Sequence, residues 1–260
     1  MTEWASGENY EPFIGRWSRL VAPEFITWLA VPEDRHWLDV GCGTGALTAT
    51  ILENAAPAQV VGVDPSPGFT AYARQNISDV RARFDVGDAQ ELPVQDAAFD
   101  VVVSGLVLNF VPDRARAMAE MRRAGRRGAV VAAYVWDYAG EMQLLRHFWD
   151  TAVELDPAAH VLHEGNRFDV CSPDRLRATW SDAGLANVQT RPIDVSTVFA
   201  DFDDYWTPFL SGQAPAPSYA MSLRDADRSR LREALRRRLP IEADGPIRLT
   251  ARAWAVRGTN

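Results

Sequence analysis

The apolar positions change their period along the chain. Near the N-terminus Phe13, Trp17, Leu20, Val21, Phe25, Trp28 and Leu29 recur at helical spacing. Pro23 falls among them, and its missing N–H predicts two helices rather than one. From His36 the pattern becomes a strand–helix rhythm. His36–Val40 is a short apolar run that ends at a glycine cluster, and Ala46–Asn54 reads as a helix. Gln59–Asp64 is a β-branched strand, followed by a helix over 68–76. Residues 83–86, 99–104 and 129–136 predict three further strands, with a helix over 112–123 that has Pro112 near its first turn. The 99–104 run is continuously apolar, as in a strand covered on both faces. Strands alternating with helices predict an α/β fold with a doubly wound, mostly parallel sheet and right-handed crossovers.

Beyond Trp136 the rhythm changes. Residues 141–155 read as a helix, and Ser172 before Pro173 starts another that Gly184 stops. Residues 188–199 read as extended, 201–210 are aromatic and acidic, and 213–217 read as a Pro/Ala turn. An arginine-rich helix follows over 226–239, with a last strand over 249–256.

Composition removes several chemistries. The 27 basic residues among 260 are all arginine. Without lysine there is no Schiff-base chemistry and no P-loop. A net charge of -8 argues against a nucleic-acid partner, because such binding draws on phosphate neutralisation. No apolar run is long enough for a membrane span, and the N-terminus lacks the apolar core of a signal peptide. Cys42 and Cys171 are therefore expected to be reduced thiols of a cytoplasmic protein. No His/Cys or carboxylate cluster suggests a metal site.

The strongest motif is the run from Trp37 to Gly45, WLDVGCGTG. It is strand, glycine turn, then helix. Gly41 permits the tight turn, and Gly43 and Gly45 let a ligand approach the backbone. The following helix offers free N–H groups and a positive dipole end. Gly41, Gly43 and Ala46 also satisfy the G-x-G-x-x-A dinucleotide pattern, so the glycines alone leave a nicotinamide dehydrogenase open. Three features point elsewhere: the acid Asp39 before the glycines, the extra Gly45, and the run Gly87-Asp88-Ala89 followed by Leu92-Pro93.

In order and spacing, DVGCGTG, VVGVDPS, GDAxxLP and FDVVVS resemble the class I S-adenosylmethionine-dependent methyltransferases, in particular the small-molecule, quinone-biosynthesis-like group. The resemblance covers roughly residues 10–136. It implies a seven-stranded, Rossmann-like sheet with an antiparallel last strand and a helical lid or insertion. It divides the chain into 1–136, lid helices with the cofactor-binding half of the core, and 137–260, the other half with acceptor-site helices. It implies S-adenosyl-L-methionine as cofactor and a small-molecule substrate. Asp64 would take the ribose hydroxyls, with Pro65 beside it. Asp88 would accept from the adenine amino group, with Ala89 facing the ring. Asp39, with Gly41, Cys42 and Gly43, would lie near the methionine end, and Ser104, Gly105 and Leu106 would line the methionine and its methyl group. Tyr10 and Arg16 match the lid helix, where a guanidinium suits a carboxylate. One departure stands out: the family's Pro-Gly-Gly turn before the fifth strand is here Gly125-Arg126-Arg127-Gly128. A non-catalytic cofactor-binding protein remains the alternative within this fold.

The second half is where acceptor specificity is expected. Trp136, Tyr138, Tyr205 and Trp206 are candidates for an aromatic acceptor pocket, although helix-spaced aromatics also build cores. His147, His163 and Asp137, with Glu164, are the candidate bases. The arginine-rich helix has Leu231, Leu235 and Leu239 on one stripe, as an amphipathic surface helix does.

Overall fold

The computed structural model describes residues 15–212, 214–241 and 245–260. Seven strands form one sheet in the order β3-β2-β1-β4-β5-β7-β6. They are β1 (His36–Val40), β2 (Gln59–Asp64), β3 (Ala82–Val86), β4 (Phe99–Gly105), β5 (Gly125–Trp136), β6 (Ala186–Phe199) and β7 (Ile247–Thr259). β1 pairs in parallel with β2 and β4, β2 with β3, and β4 with β5. The last strand runs the other way. The Gly128 N–H reaches the Asn260 carbonyl, whereas the Asp137 N–H reaches that of Arg252. The predicted α/β fold, doubly wound with an antiparallel last strand, is what the chain adopts.

The chain divides into two compact units. The first comprises Ser18–Val135, Val170–Ile193 and Ala253–Asn260. Its sheet centre is sealed: Trp37, Leu38, Val60, Val102 and Val131 have essentially no exposure. Such strands, covered on both faces, read as continuous apolar runs. The helices α1 (Arg16–Leu29), α2 (Ala46–Asn54), α3 (Pro67–Asn76), α4 (Arg114–Ala124) and, later in the chain, α7 (Pro173–Asp182) accompany them. The starts of α3, α4 and α7 are capped by short polar side chains. Ser66 accepts from the Phe69 N–H, Asp113 from that of Arg116, and Ser172 from that of Arg175.

α1 corrects the expectation of two helices, since it runs unbroken through Pro23. Arg19, Leu20 and Glu24 lie on its exposed side, so the bond that proline removes falls where water can reach. Val21, Ala22, Phe25, Ile26 and Leu29 are buried and hold the helix together across it.

The second unit comprises Trp136–Asp169 and Asp194–Arg252, with the stretch ending at Trp17. It is helical: α5 (Gln143–Leu155), α6 (Glu164–Arg167), α8 (Phe202–Trp206), α9 (Pro215–Ser222) and α10 (Asp225–Arg238). Its core is aromatic. Phe148 stacks on Phe209 with centroids 4.4 Å apart, and Trp149 meets Phe148 edge-on at 5.3 Å. The expected turn over 213–217 is instead largely the start of α9. Proline is at home in a first helical turn, and Ala216 and Ala220 are sealed, so packing carries the chain on as a helix.

Candidate functional site

The glycine turn joins the end of β1 to α2. Gly41, Gly43 and Gly45 all have positive φ, at 76°, 53° and 90°. Their surroundings separate them. A Cβ on Gly41 would lie 2.5 Å from Val107 Cγ1, and one on Gly45 would lie 2.5 Å from Ile77 Cδ1. A Cβ on Gly43 would meet nothing within 4 Å. Gly45 therefore lets elements pack closely, and Gly43 is where the backbone is open to approach. Cys42 is buried against Ala73 and Phe84, and burial pushes its thiol pKa up.

Two acids flank the turn. Asp39 is sealed, and its Oδ2 accepts from Thr48 Oγ1 at 2.7 Å. Its Oδ1 is buried with no partner. Burial raises its pKa to about 7, with Asp64 adding like charge and the Thr48 bond opposing. Asp64 ends β2 and ties that strand to the turn. Its Oδ2 accepts from the Gly43 N–H at 3.0 Å and its Oδ1 from the Ser66 N–H at 2.8 Å. Each carboxylate oxygen has about two acceptor sites, so each keeps one for a ligand. Burial raises its pKa, against those two bonds. Pro65 beside it is exposed.

Asp88 is exposed after β3 and is clamped by Gln90, which donates through its backbone N–H at 2.8 Å and its side-chain amide at 3.0 Å; Ala89 is buried. At the end of β4 the buried Ser104 hydroxyl donates to the Val40 carbonyl at 2.8 Å and so fastens β4 to β1. Gly105 backs onto the Tyr134 ring, and Leu106 holds φ at 62°, a left-handed conformation that a leucine keeps only when its surroundings impose it. Thr48 and Val107 are site residues that the sequence reading missed. Thr48 lies nine positions beyond its partner, across a turn, where no period links them.

The family of methyltransferase domains matches residues 38–133. A demethylmenaquinone methyltransferase from Roseiflexus castenholzii is 30% identical over 178 residues, covering 64% of this chain and 74% of that one. The chain belongs to the class I S-adenosylmethionine-dependent methyltransferases. It spans less than half the length of several other curated relatives. Among solved structures, the YcgJ protein of Bacillus subtilis shares the fold at a TM-score of 0.59 and 17% identity, with coverage of 93% and 98%. The Haemonchus contortus phosphoethanolamine N-methyltransferase 2, in complex with S-adenosyl-L-methionine, does so at 0.56 and 14%, with coverage of 94% and 52%.

The cofactor that goes with this methyltransferase family is S-adenosylmethionine, and the residues present suit it. An unpaired buried carboxylate oxygen at Asp39 matches an ammonium group. Spare acceptor positions at Asp64 match vicinal hydroxyls, and the open side of Gly43 leaves room.

The remaining candidates lie in the methyltransferase's helical unit, save Tyr10, which falls outside the described residues. Arg16 pairs with Asp204 at 3.0 Å and lies over the Trp17 and Phe199 rings, while its Nε and Nη2 are buried without partners among the described residues. Trp136, Tyr138, Tyr205 and Trp206 are all buried, and the Tyr205 hydroxyl donates to the Leu144 carbonyl at 2.9 Å. Asp137 accepts from the N–H groups of Gly140 and Glu141, both at 3.0 Å, and so shapes a turn. Glu164 is sealed and accepts from the Trp149 indole at 2.6 Å; burial raises its pKa to about 7. His163 lies over Trp149 and accepts the Gly165 N–H, and burial lowers the pKa of both His163 and His147. No His/Cys/carboxylate group among the described residues could hold a metal.

On α10 most arginines are engaged. Arg232 pairs with Asp203 at 2.7 Å, Arg238 with Glu154 at 2.6 Å, and Arg228 with Asp225. That is the pattern of a solvated helix face tied to its neighbours. No described helix is long and apolar enough to cross a membrane.

Proposed function

We propose that the protein transfers the methyl group of S-adenosylmethionine to a small, apolar or aromatic acceptor. The observation that carries this reading is the acidic frame of the glycine turn. Asp64 already braces the Gly43 N–H and keeps acceptor capacity, while Asp39 holds an unused oxygen in a sealed position. When bound, the cofactor supplies an electrophilic methyl on a positively charged sulfur. In this reading Asp64 takes the ribose hydroxyls, Asp39 meets the ammonium, Asp88 and Ala89 border the adenine, and Ser104–Leu106 back the methyl. Arg16, with two unpaired nitrogens, is the candidate for the carboxylate.

The acceptor side of the proposal rests on the helical unit's aromatic content. Its interior acids are already committed, Glu164 to Trp149 and Asp137 to a turn. Such a unit offers ring surface more readily than charge. Alignment and exclusion of water can supply much of the rate, and a base is required only if the acceptor carries a proton at neutral pH. His147 and His163, whose pKa values burial lowers, are then the groups to examine. Cys42 and Cys171 are both buried and form no disulfide, which suits a reducing, cytoplasmic setting.

The test is calorimetric titration with S-adenosylhomocysteine, followed by methyl transfer from labelled S-adenosylmethionine to a panel of phenols, quinols and apolar acids. Saturable binding with turnover on an apolar member is expected. Absence of binding would sink the reading altogether. Binding without transfer to any member would leave a cofactor-binding protein.

A further inference from the structure

The amino ends of β1, β4 and β5 border an open cavity of about 350 Å³ in the first unit. We infer that it is a second binding site, for a small organic anion with an apolar body. Its lining combines the apolar Leu29, Val31 and Pro32 with Arg35, Arg126 and Arg127. Three guanidiniums there face one carboxylate, Asp100, in a chain whose net charge is -8.

An irregularity places two of these arginines, Arg126 and Arg127. Phe99 pairs with Gly125, but Val101 pairs with Val130. Residues 126–129 therefore oppose Asp100 alone and bulge from the ladder. Bulges of this kind re-aim side chains next to sites. Gly128, at φ 83°, anchors the bulge by donating to the Asn260 carbonyl at 2.7 Å. Asp100 fixes Arg126 at 2.6 Å and accepts the His36 N–H at 2.9 Å. The Arg35 and Arg127 side chains make no hydrogen bond or ion pair with a described residue, although the Arg35 charge helps to lower the Asp100 pKa, and both residues are exposed. Between α1 and β1, Ala30, which lines the cavity, and Asp34 hold left-handed φ values of 49° and 66°.

Position separates this site from the cofactor's. Ligands of open α/β sheets sit beyond the carboxyl ends of the strands. This cavity lies at the opposite ends, with β1 running from it to the glycine turn. Two free guanidiniums favour a carboxylate or phosphate monoester, which they can bind bidentately. The volume is near the lower end of the ~300–1,000 Å³ of small-ligand pockets, so it suits an aryl-sized body.

The experiment is calorimetric titration of the full chain with phenyl phosphate and with benzoate, using inorganic phosphate as the probe without a body. Titrations are repeated with saturating S-adenosylhomocysteine. Arg35→Gln/Arg127→Gln is the test variant and Arg237→Gln, on α10, the control. One saturable site is expected for an aryl anion, at least about tenfold tighter than for inorganic phosphate. It should be insensitive to S-adenosylhomocysteine, weakened by about tenfold or more in the double variant, and unchanged in the control. All variants should melt as the parent does, since exposed arginines are exchanged. No saturable binding at millimolar probe, equal affinity for inorganic phosphate, displacement by S-adenosylhomocysteine, or equal loss in test and control variants would each overturn the proposal.

Discussion

Asp39 in the glycine-turn unit and Glu164 in the helical unit are alike in burial and unlike in use. Both are sealed, and burial pushes both up to about 7. Asp39 takes one bond, from Thr48, and keeps Oδ1 unpaired beside a turn of left-handed glycines. Glu164 is bound to the Trp149 indole inside a stack of rings. Buried polar atoms in folded proteins are nearly always satisfied, and exceptions mark places where something else is meant to complete them. The turn is such a place. Glu164 is not, because it and the Trp149 indole complete one another. Among the described residues, the helical unit's exceptions are Arg16, with two unpaired nitrogens, the Trp17 indole and the Thr197 hydroxyl.

The largest effect should come from emptying the aromatic cluster. Trp149→Ala removes a sealed ring and strands Glu164, so about 3–5 kcal/mol of stability should be lost in denaturant unfolding. If the cluster only packs, affinity for S-adenosylhomocysteine should stay near that of the parent where the variant is folded. Next comes Asp64→Ala. Loss of a charged acceptor for the ribose should weaken S-adenosylhomocysteine by about 10- to 100-fold, or roughly 1.5–3 kcal/mol, in calorimetry. Unchanged affinity would break the assignment of the turn as the binding region.

The two acids raised to about 7, Asp39 and Glu164, give the sharper test. A carboxyl whose folded pKa lies above its unfolded value favours folding at low pH, and that contribution is lost as pH rises towards the folded value. The contribution of these two acids to stability should therefore fall between about pH 4 and pH 8, against the opposite slope of His147 and His163, whose lowered values favour folding as pH rises. Asp39→Asn and Glu164→Gln should each flatten part of that slope, as thermal melts across pH would show. Only Asp39→Asn should also weaken S-adenosylhomocysteine, by several-fold. If Glu164→Gln weakens it equally, the contrast between the regions fails. The smallest effect belongs to the surface. Arg230 meets Asp227 at 3.8 Å on an exposed face, so Arg230→Ala should change stability by under about 0.5 kcal/mol.

What the sequence disclosed follows the range of the interactions. Ala46–Asn54 and Gln59–Asp64 form as read, because period and the bounding glycine and Asp-Pro signals are local. Asp64 was legible because its place at the strand end is set by the same run that makes the strand. Pro23 misled, since burial of Phe25 and Ile26 outweighs a lost bond on a wet face. The start of β5 at Gly125, four residues before the expected 129, depends on a bulge that pairs across to β4. Thr48 beside Asp39, and Val107 behind Gly41, were illegible for the same reason: each contact closes only when separate elements meet.

The placement of Cys42 makes the turn self-reporting. Its sulfur is buried between α3 and β3 and held as the poorly reactive thiol. A thiol reagent reaches it only when the loop lifts away from those elements. The rate of its modification therefore counts openings of the glycine turn, and a ligand that braces the loop should slow that clock without touching the sulfur.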